Sequence, residues 1–443
     1  MKQSWDVVVV GGGPSGMIAA GRAAELGSRV LLLEKNSVLG KKLLITGGGR
    51  CNVTTAIADR HALTARYGDR GKYLHSLFAR FSPEDTRALL RRYGLETRVE
   101  AEHRVFPTTD NAGDVRTALE RYMADGGVRV RRDAAVVKLH DEAGPDGRRI
   151  AAVETRSGEL VAGRQVILAV GGSSRPETGS EGDGFRWLLD LGLPVRQPEA
   201  SLVPLKIPDP WVRSLQGLAL PEAGLHVESL AGGPEFGGAL VAPAPRVDDR
   251  SAWGNARRRL SREGKLLFTH FGLSGPVVLN AAEAIRDLAR HSPIRLLVDV
   301  LPGRSSEDLD ALFRRAAERE GKRSVGAFLS DLLPARLAKV VGQQAGVSQG
   351  RRLAELGKAP RRHLVSALRG IPCTYGGLMG QDKAVVSSGG LDPAVVDFRT
   401  LRVHGWENLA VLGDTLDFNR QSGGFSLQVC WASGWVAAEA AVV

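Results

Sequence analysis

The sequence predicts an α/β protein in which a Rossmann-like, discontinuous nucleotide-binding domain is interrupted by an inserted β-rich, barrel-like and helical domain, and three features predict it. A valine run, Val7 to Val10, breaks into Gly11-Gly12-Gly13-Pro14-Ser15-Gly16 near the N-terminus. A second buried-looking strand, Leu409 to Leu412, ends in Gly413-Asp414 and leads through glycines into an apolar helix near the C-terminus. Between them, from about residue 195, short apolar runs are punctuated by Pro204, Pro208, Pro210, Pro221 and Pro234. The two ends match in character, so 1–194 and 371–443 read as one domain and 195–370 as an insertion, β-rich over 195–303 and helical over 304–370.

The valines read as a strand buried on both faces, and Met17 to Leu26 is rich in helix formers, so the glycines stand where a strand turns into a helix. Gly11 permits the tight turn, Gly13 lets the backbone approach a pyrophosphate, and Gly16 lets helix and strand pack closely. The helix start then offers unpaired N–H groups and positive potential to phosphates. A further apolar run, Arg29 to Leu33, delivers Glu34 about 20 residues on, where a carboxylate accepts from a ribose hydroxyl and repels a 2′-phosphate. A glycine-rich loop follows, from Gly40 through Gly47-Gly48-Gly49-Arg50-Cys51-Asn52. Ser82 before Pro83-Glu84-Asp85 predicts a capped helix over 83–93, and 113–125 predicts another. Val128 to Arg131, Ala135 to Leu139, Ile150 to Thr155 and Val161 predict short strands, with Asp146-Gly147 as a hairpin turn. Val166 to Val170 is a buried strand ending in Gly171-Gly172, a turn that suits a bound cofactor. Leu309, Leu312 and Phe313, then Phe328, Leu332 and Leu333, carry helical spacing through 306–369, and Leu427 to Ala441 closes the chain as an apolar helix.

Hydrophobic residues at 43% and charged residues at 25% exclude a disordered chain. No stretch approaches the ~18 apolar residues of a membrane span, and the N-terminus enters its first strand at once, so a cytoplasmic protein without membrane attachment is expected. Cys51, Cys373 and Cys430 are odd in number and far apart, which excludes a disulfide framework and a metal-ligand spacing. The net charge of +11 is concentrated: residues 251–370 hold 22 Lys and Arg against 11 Asp and Glu, and the remainder is balanced. Such a segment suits either a polyanion such as RNA or an ordinary solvated basic surface.

Four segments together resemble the BaiN/RdsA-type NAD(P)/FAD-dependent oxidoreductases, flavoproteins of two-dinucleotide-binding-domain architecture. They are Val7 to Glu34, Gly40 to Asn52, Leu266 to Pro276 with its Thr269-His270-Phe271-Gly272-Leu273-Ser274-Gly275-Pro276 core, and Gly413 to Asp417 continued by Ser422 to Gln428. Where this family commonly carries Glu, Asp414 stands, and Leu401-Arg402-Val403 replaces its Met-Glu-Ser. The resemblance implies bound FAD, with Gly11, Gly13, Pro14, Ser15, Gly16, Glu34 and Lys35 around the ADP half and a backbone contact from Val137 to the adenine. It implies that Gly413, Asp414, Gly423, Gly424 and Phe425 hold the pyrophosphate, ribityl chain or ring, near Gly48, Gly49, Asn52, Gly171 and Gly172. NAD(P)H is the implied transient reductant, and the implied substrates are a ribosomal RNA uridine or a small unsaturated, steroid-like acid.

Two side chains are candidates for catalysis. Cys51 follows the second strand with no second cysteine nearby, so dithiol exchange is excluded, and it is either a proton donor to a C=C bond or a packed thiol. His270, between Phe268 and Phe271, is either a proton donor or clamp, or a structural residue. Arg50 and Lys42 either pair with the pyrophosphate or substrate or stay solvated. A flavin-binding redox regulator without turnover is the reading from a different class.

Overall fold

A computed structural model describes residues 5–229, 259–418 and 420–442. The chain folds as two compact units, Met1–Ser201 with Gln381–Val443, and Leu202–Gly380.

The first unit is built on a seven-stranded sheet. Strand β1 (Trp5–Val10) lies parallel between β2 (Val30–Leu33) and Gly163–Leu168, with Val8 opposite both Leu31 and Val166. Leu409–Val411 adds in parallel beyond Gly163–Leu168, and Arg129–Arg131 beyond β2. Two short antiparallel strands, Val396–Asp397 and Arg402–Val403, finish one edge. Every residue from Val7 to Val10 and from Val30 to Leu33 is buried, as a sheet covered on both faces requires. Helix α1 (Pro14–Glu25) packs on this sheet beside the closing helix Phe425–Val442 and Ala112–Asp125. Gly16 and Gly434 make that closeness possible, because a Cβ would stand 1.9 Å from Gly11 O in the first and 2.5 Å from Ser15 O in the second. Ser82 and Asp85 form the reciprocal cap that starts Pro83–Arg92.

The second unit has its own core under a six-stranded antiparallel sheet and four helices of the 306–369 stretch: Ser306–Glu320, Val325–Leu332, Ala335–Gln344 and Lys358–Arg369. The long strands Ala219–Ser229 and Arg259–Phe268 pair at its centre. Its edge strands are Leu205–Lys206 and Ile371–Cys373, and Lys206 exchanges backbone bonds with Gly376 and Gly377 just past the latter. The sheet therefore curls until its edges meet, which gives the barrel-like closure. The basic positions 251–258 and the prolines Pro234, Pro243 and Pro245 lie outside the described residues.

Two sequence expectations shift. The unit boundaries fall at 201 and 380 rather than 194 and 370, because Val195–Ser201 pairs with Val386–Leu391 in the first unit and Ile371–Cys373 pairs with Ile294–Asp299 in the second. The β-rich stretch also contains a 16-residue helix, Pro276–His291, started by Pro276 and carrying Val277, Val278, Ala281, Ala282 and Ile285 on its buried face.

Candidate functional site: a dinucleotide cavity at the carboxyl ends of the parallel strands

A cavity opens in the first unit where β1, β2, Gly163–Leu168 and Leu409–Val411 end, the place where open parallel sheets bind ligands. Each strand hands one group to its wall: Gly11 to Ser15 after β1, Glu34 after β2, Ala169 to Gly171 after the third, and Asp414 after the last.

The N-terminal end of α1 faces this space. Gly13 is extended at φ −80° and ψ −175°, no side chain caps the helix, and no acid stands in its first turn. Nothing lies within 4 Å of where a Cβ at Gly13 would be, whereas Gly11 and Gly16 are hemmed in by Ala169 O and Gly11 O. The three glycines therefore do three different jobs: turn, open approach and close packing. Unpaired N–H groups, positive helix potential and free space combine to suit a pyrophosphate.

Glu34 is buried in the cavity wall. Its Oε2 accepts from Gly12 N at 2.7 Å, and its Oε1 accepts from Asn36 N and Asn36 Nδ2, each at 2.7 Å. A carboxylate has about four acceptor positions, so one remains for a ribose hydroxyl. Asn36 is held in turn by donating to Thr178 O at 3.2 Å. Next to it Lys35 pairs with Asp183 at 2.8 Å and Glu181 at 3.1 Å; burial opposes its charge, and the two carboxylates overcome that and raise its pKa.

At the other end Asp414 lies between two cations. Its Oδ2 is 3.5 Å from Lys42 Nζ, and its Oδ1 pairs with Arg420. Burial by itself would raise the Asp414 pKa, but Arg420 and Lys42 outweigh it and hold the group ionised. Lys42 also donates to Ser174 Oγ at 2.7 Å. Arg420, behind that wall, has a wholly buried side chain, donates from Nε to Phe418 O at 3.2 Å, and its Nη2 has no hydrogen-bond partner among the described residues. The closing helix presents Ser426, Leu427 and Cys430 to the same wall.

The uncapped helix, the space beyond Gly13 and the spare acceptor on Glu34 are together what a dinucleotide carrying two phosphates would satisfy. The residues present fit FAD.

The other sequence candidates sit elsewhere. Arg50 is engaged by Glu100 at 2.5 Å and Asp110 at 2.6 Å and lies 4.0 Å over the Phe106 ring, so carboxylates already hold its charge. Asn52 Oδ1 accepts from Val105 N at 3.1 Å and pins the glycine loop to the neighbouring strand. Gly48 and Gly49 border open space in that loop rather than the cavity wall. Cys51 is fully buried in the core at a left-handed φ of 61°, and burial pushes its thiol up to about 12, so it packs and does not face the cavity. The Val137 carbonyl accepts from Trp187 Nε1 at 3.0 Å, and the cavity wall is made by the adjacent Val136 and by Ala134. Gly172, Gly413, Gly423, Gly424 and Phe425 stand behind the wall: Gly424 abuts Thr54 O, Gly413 abuts Ser15 Oγ, and Phe425 O accepts from Tyr67. His270 is exposed on a loop of the second unit, edge-on to Phe271 at 4.9 Å.

Sequence reasoning missed Thr178, Gly179, Ser180 and Asp183, which line the cavity. The Gly/Ser-rich run that follows the third parallel strand is a usable signal for them, because such a run at a strand's carboxyl end belongs to the binding crevice. It also missed Cys430, for which no spacing gave a cue.

The chain matches the family model described as HI0933-like protein Rossmann domain over residues 5–440. It is 27% identical over 438 residues to the ribosomal RNA dihydrouridine synthase of Escherichia coli strain K12, covering 99% of this chain and 98% of that protein. It is 26% identical over 440 residues to the 3-dehydro-bile acid delta(4,6)-reductase of Clostridium scindens, covering 98% of each. Among solved structures, the 3-ketosteroid delta1-dehydrogenase from Sterolibacterium denitrificans shares the fold with a TM-score of 0.54 at 14% identity, over 99% of both chains.

Proposed function

Because the chain belongs to the HI0933-like Rossmann family and is an FAD-dependent oxidoreductase, we propose that it reduces an activated C=C bond with NAD(P)H as reductant, and that its substrate is a uridine of ribosomal RNA, converted to dihydrouridine. Charge placement carries the choice of RNA: the entire excess of +11 falls within 251–370. Among the described residues of that stretch, Arg319, Lys322, Lys339, Arg351, Lys358 and Arg362 are exposed and form no ion pair. Free cations of this kind neutralise phosphates, which a small acid does not require in such number. The full-length likeness to a ribosomal RNA dihydrouridine synthase supports the same reading.

FAD, when bound, supplies hydride transfer between the nicotinamide and the C=C bond. The chain's own residues bind and orient it. The α1 N-terminus and Gly13 receive the pyrophosphate, Glu34 takes a ribose hydroxyl, and Lys42 and Asp414 face the remaining portion. Glu34 also disfavours a 2′-phosphate at the adenosine end. The second carbon of the bond needs a proton, and Cys51, buried away from the cavity, is not placed to give it.

The test is anaerobic: reduce the purified flavoprotein with NADH or NADPH, then follow reoxidation by ribosomal RNA fragments and by enone or dienone acids. RNA-dependent reoxidation with dihydrouridine in the product is expected, unchanged in Cys51→Ala, while His270→Asn tests the other side chain in the same assay. Reoxidation by the small acids alone would move the substrate to the class acted on by the bile acid reductase. Reoxidation by neither would leave a flavin-binding regulator.

A further inference from the structure

The basic excess of the second unit is not spread over its helical stretch. Residues 304–332 hold six Lys and Arg against six Asp and Glu, whereas residues 333–370 hold eight against Glu355 alone, so +7 of the +11 falls in that closing part. Two of the eight are neutralised locally: Arg361 pairs with Asp310 at 2.5 Å and Arg369 with Asp299 at 2.7 Å. Arg336, Lys339, Arg351, Arg352, Lys358 and Arg362 are exposed and form no ion pair among the described residues. Arg336 donates to Gln216 O at 3.2 Å, a contact that leaves its charge in place. Glu355 accepts from the backbone N of Arg352 at 3.4 Å.

Helices Ala335–Gln344 and Lys358–Arg369 pack side by side and bury Leu337, Val341, Leu364 and Leu368 in one core, so their opposite faces look outward together. On the first helix Arg336, Lys339 and Gln343 are exposed at helical spacing, and on the second Lys358, Arg362 and Ser366. Arg351 and Arg352 stand in the connection between them, just before Leu353–Glu355. The surface that results carries cations and neutral donors with a single acid. It offers little to stack a base on, because residues 333–370 contain no Phe, Tyr or Trp and one histidine, His363. A nucleic-acid backbone suits it better: phosphates meet the cations, and 2′-hydroxyls meet Gln343 and Ser366. We propose that this two-helix face docks the phosphate backbone of a base-paired segment of the RNA substrate, so that the protein grips its substrate by duplex shape rather than by sequence. The proposal rests on the reading that the substrate is ribosomal RNA.

The experiment compares three full-length flavoproteins: wild type, the triple variant Lys339→Ala, Lys358→Ala, Arg362→Ala, and a control, Arg121→Ala, Arg129→Ala, Arg156→Ala, which removes the same charge from exposed positions of the first unit. Each is titrated with an RNA duplex of about 16 base pairs and with single-stranded oligouridine of the same length. Wild type is expected to bind the duplex roughly tenfold more tightly than the single strand at about 150 mM salt. The triple variant is expected to bind the duplex at least tenfold more weakly than wild type and to flatten the slope of log Kd against log salt by about 2–3. Its KM for ribosomal RNA fragments is expected to rise accordingly, while anaerobic reoxidation by an uncharged enone stays at the wild-type rate. The control is expected to stay within about threefold of wild type on the duplex. Equal losses in the triple variant and the control would reduce the effect to net charge and overturn the docking face, and wild-type binding that is as tight for oligouridine would overturn the duplex preference. Dihydrouridine formation with an unchanged KM in the triple variant would overturn the face and leave the RNA reading standing. A wild-type protein that forms no dihydrouridine and binds neither RNA would instead sink the substrate reading beneath it.

Discussion

At the scale of single residues, the fingerprint glycines have separable roles. A methyl at Gly13 meets nothing within 4 Å, while one at Gly16 lands 1.9 Å from the Gly11 carbonyl. Gly13→Ala is expected to keep the stability of the cofactor-free protein within about 0.5 kcal/mol and to weaken FAD binding at least tenfold. Gly16→Ala is expected to cost about 1–3 kcal/mol of stability through overpacking, with cofactor loss only as a consequence. Urea melts and FAD titrations on both proteins separate the two, and equal melts would undo the distinction. The thiols offer a second contrast. Burial pushes Cys51 and Cys430 from near 9 up to about 12 and raises Cys373 as well. With folded values above unfolded ones, their contribution to stability is complete below about pH 9 and is lost as pH rises toward 12. The urea midpoint is accordingly expected to decline above pH 9, and iodoacetamide to modify no thiol of the native protein at pH 8. Rapid alkylation of Cys51 at that pH would return it to the list of reactive groups.

At the scale of elements, the strands that join the two segments of the first unit are tied by one carboxylate. Asp417 accepts from Gly389 N on Val386–Leu391 and from Arg196 on Val195–Ser201, and it also pairs with Arg70. Only 1% of its side chain is exposed, whereas Arg70 and Arg196 keep 30% and 49%. Asp417→Ala is expected to cost about 2 kcal/mol in a urea melt, less than the ~3–5 of a wholly buried pair because both arginines can return to water. A loss under about 0.5 kcal/mol would show that the backbone pairing alone holds these strands. These elements were the hardest to read from sequence. Val195–Ser201 contains Arg196, Gln197, Pro198 and Glu199, and it is a strand only because Val386–Leu391 completes it across nearly two hundred residues. The valine and leucine strands of the parallel sheet were legible because burial on both faces demands continuous apolar runs, and the Ser82–Asp85 cap because it is a local bond pattern.

At the scale of the whole molecule, charge is distributed by segment rather than evenly, and residues 251–370 of the second unit carry the excess. If those cations grip RNA, reduction of ribosomal RNA fragments is expected to weaken by ~10³-fold or more between about 50 and 200 mM salt. Reduction of an uncharged enone is expected to change little, since no phosphate contact is involved. Equal salt sensitivity for both would leave the basic segment as a solvated surface. The sequence alone determined the parallel-sheet class, the discontinuous first unit, and the Gly11 to Glu34 part of the cavity wall, because each is written in local periodicity and short spacing. Only the tertiary structure decided that Arg50, Cys51 and Asn52 are spent on ion pairs, packing and loop anchoring, and that Lys42, Asp414 and Cys430 share the cavity wall, with Arg420 paired to Asp414 behind it. Lys42 stands hundreds of positions from Asp414 and Cys430, and the burial and charge pairing that give these residues meaning exist only once the chain has brought them together.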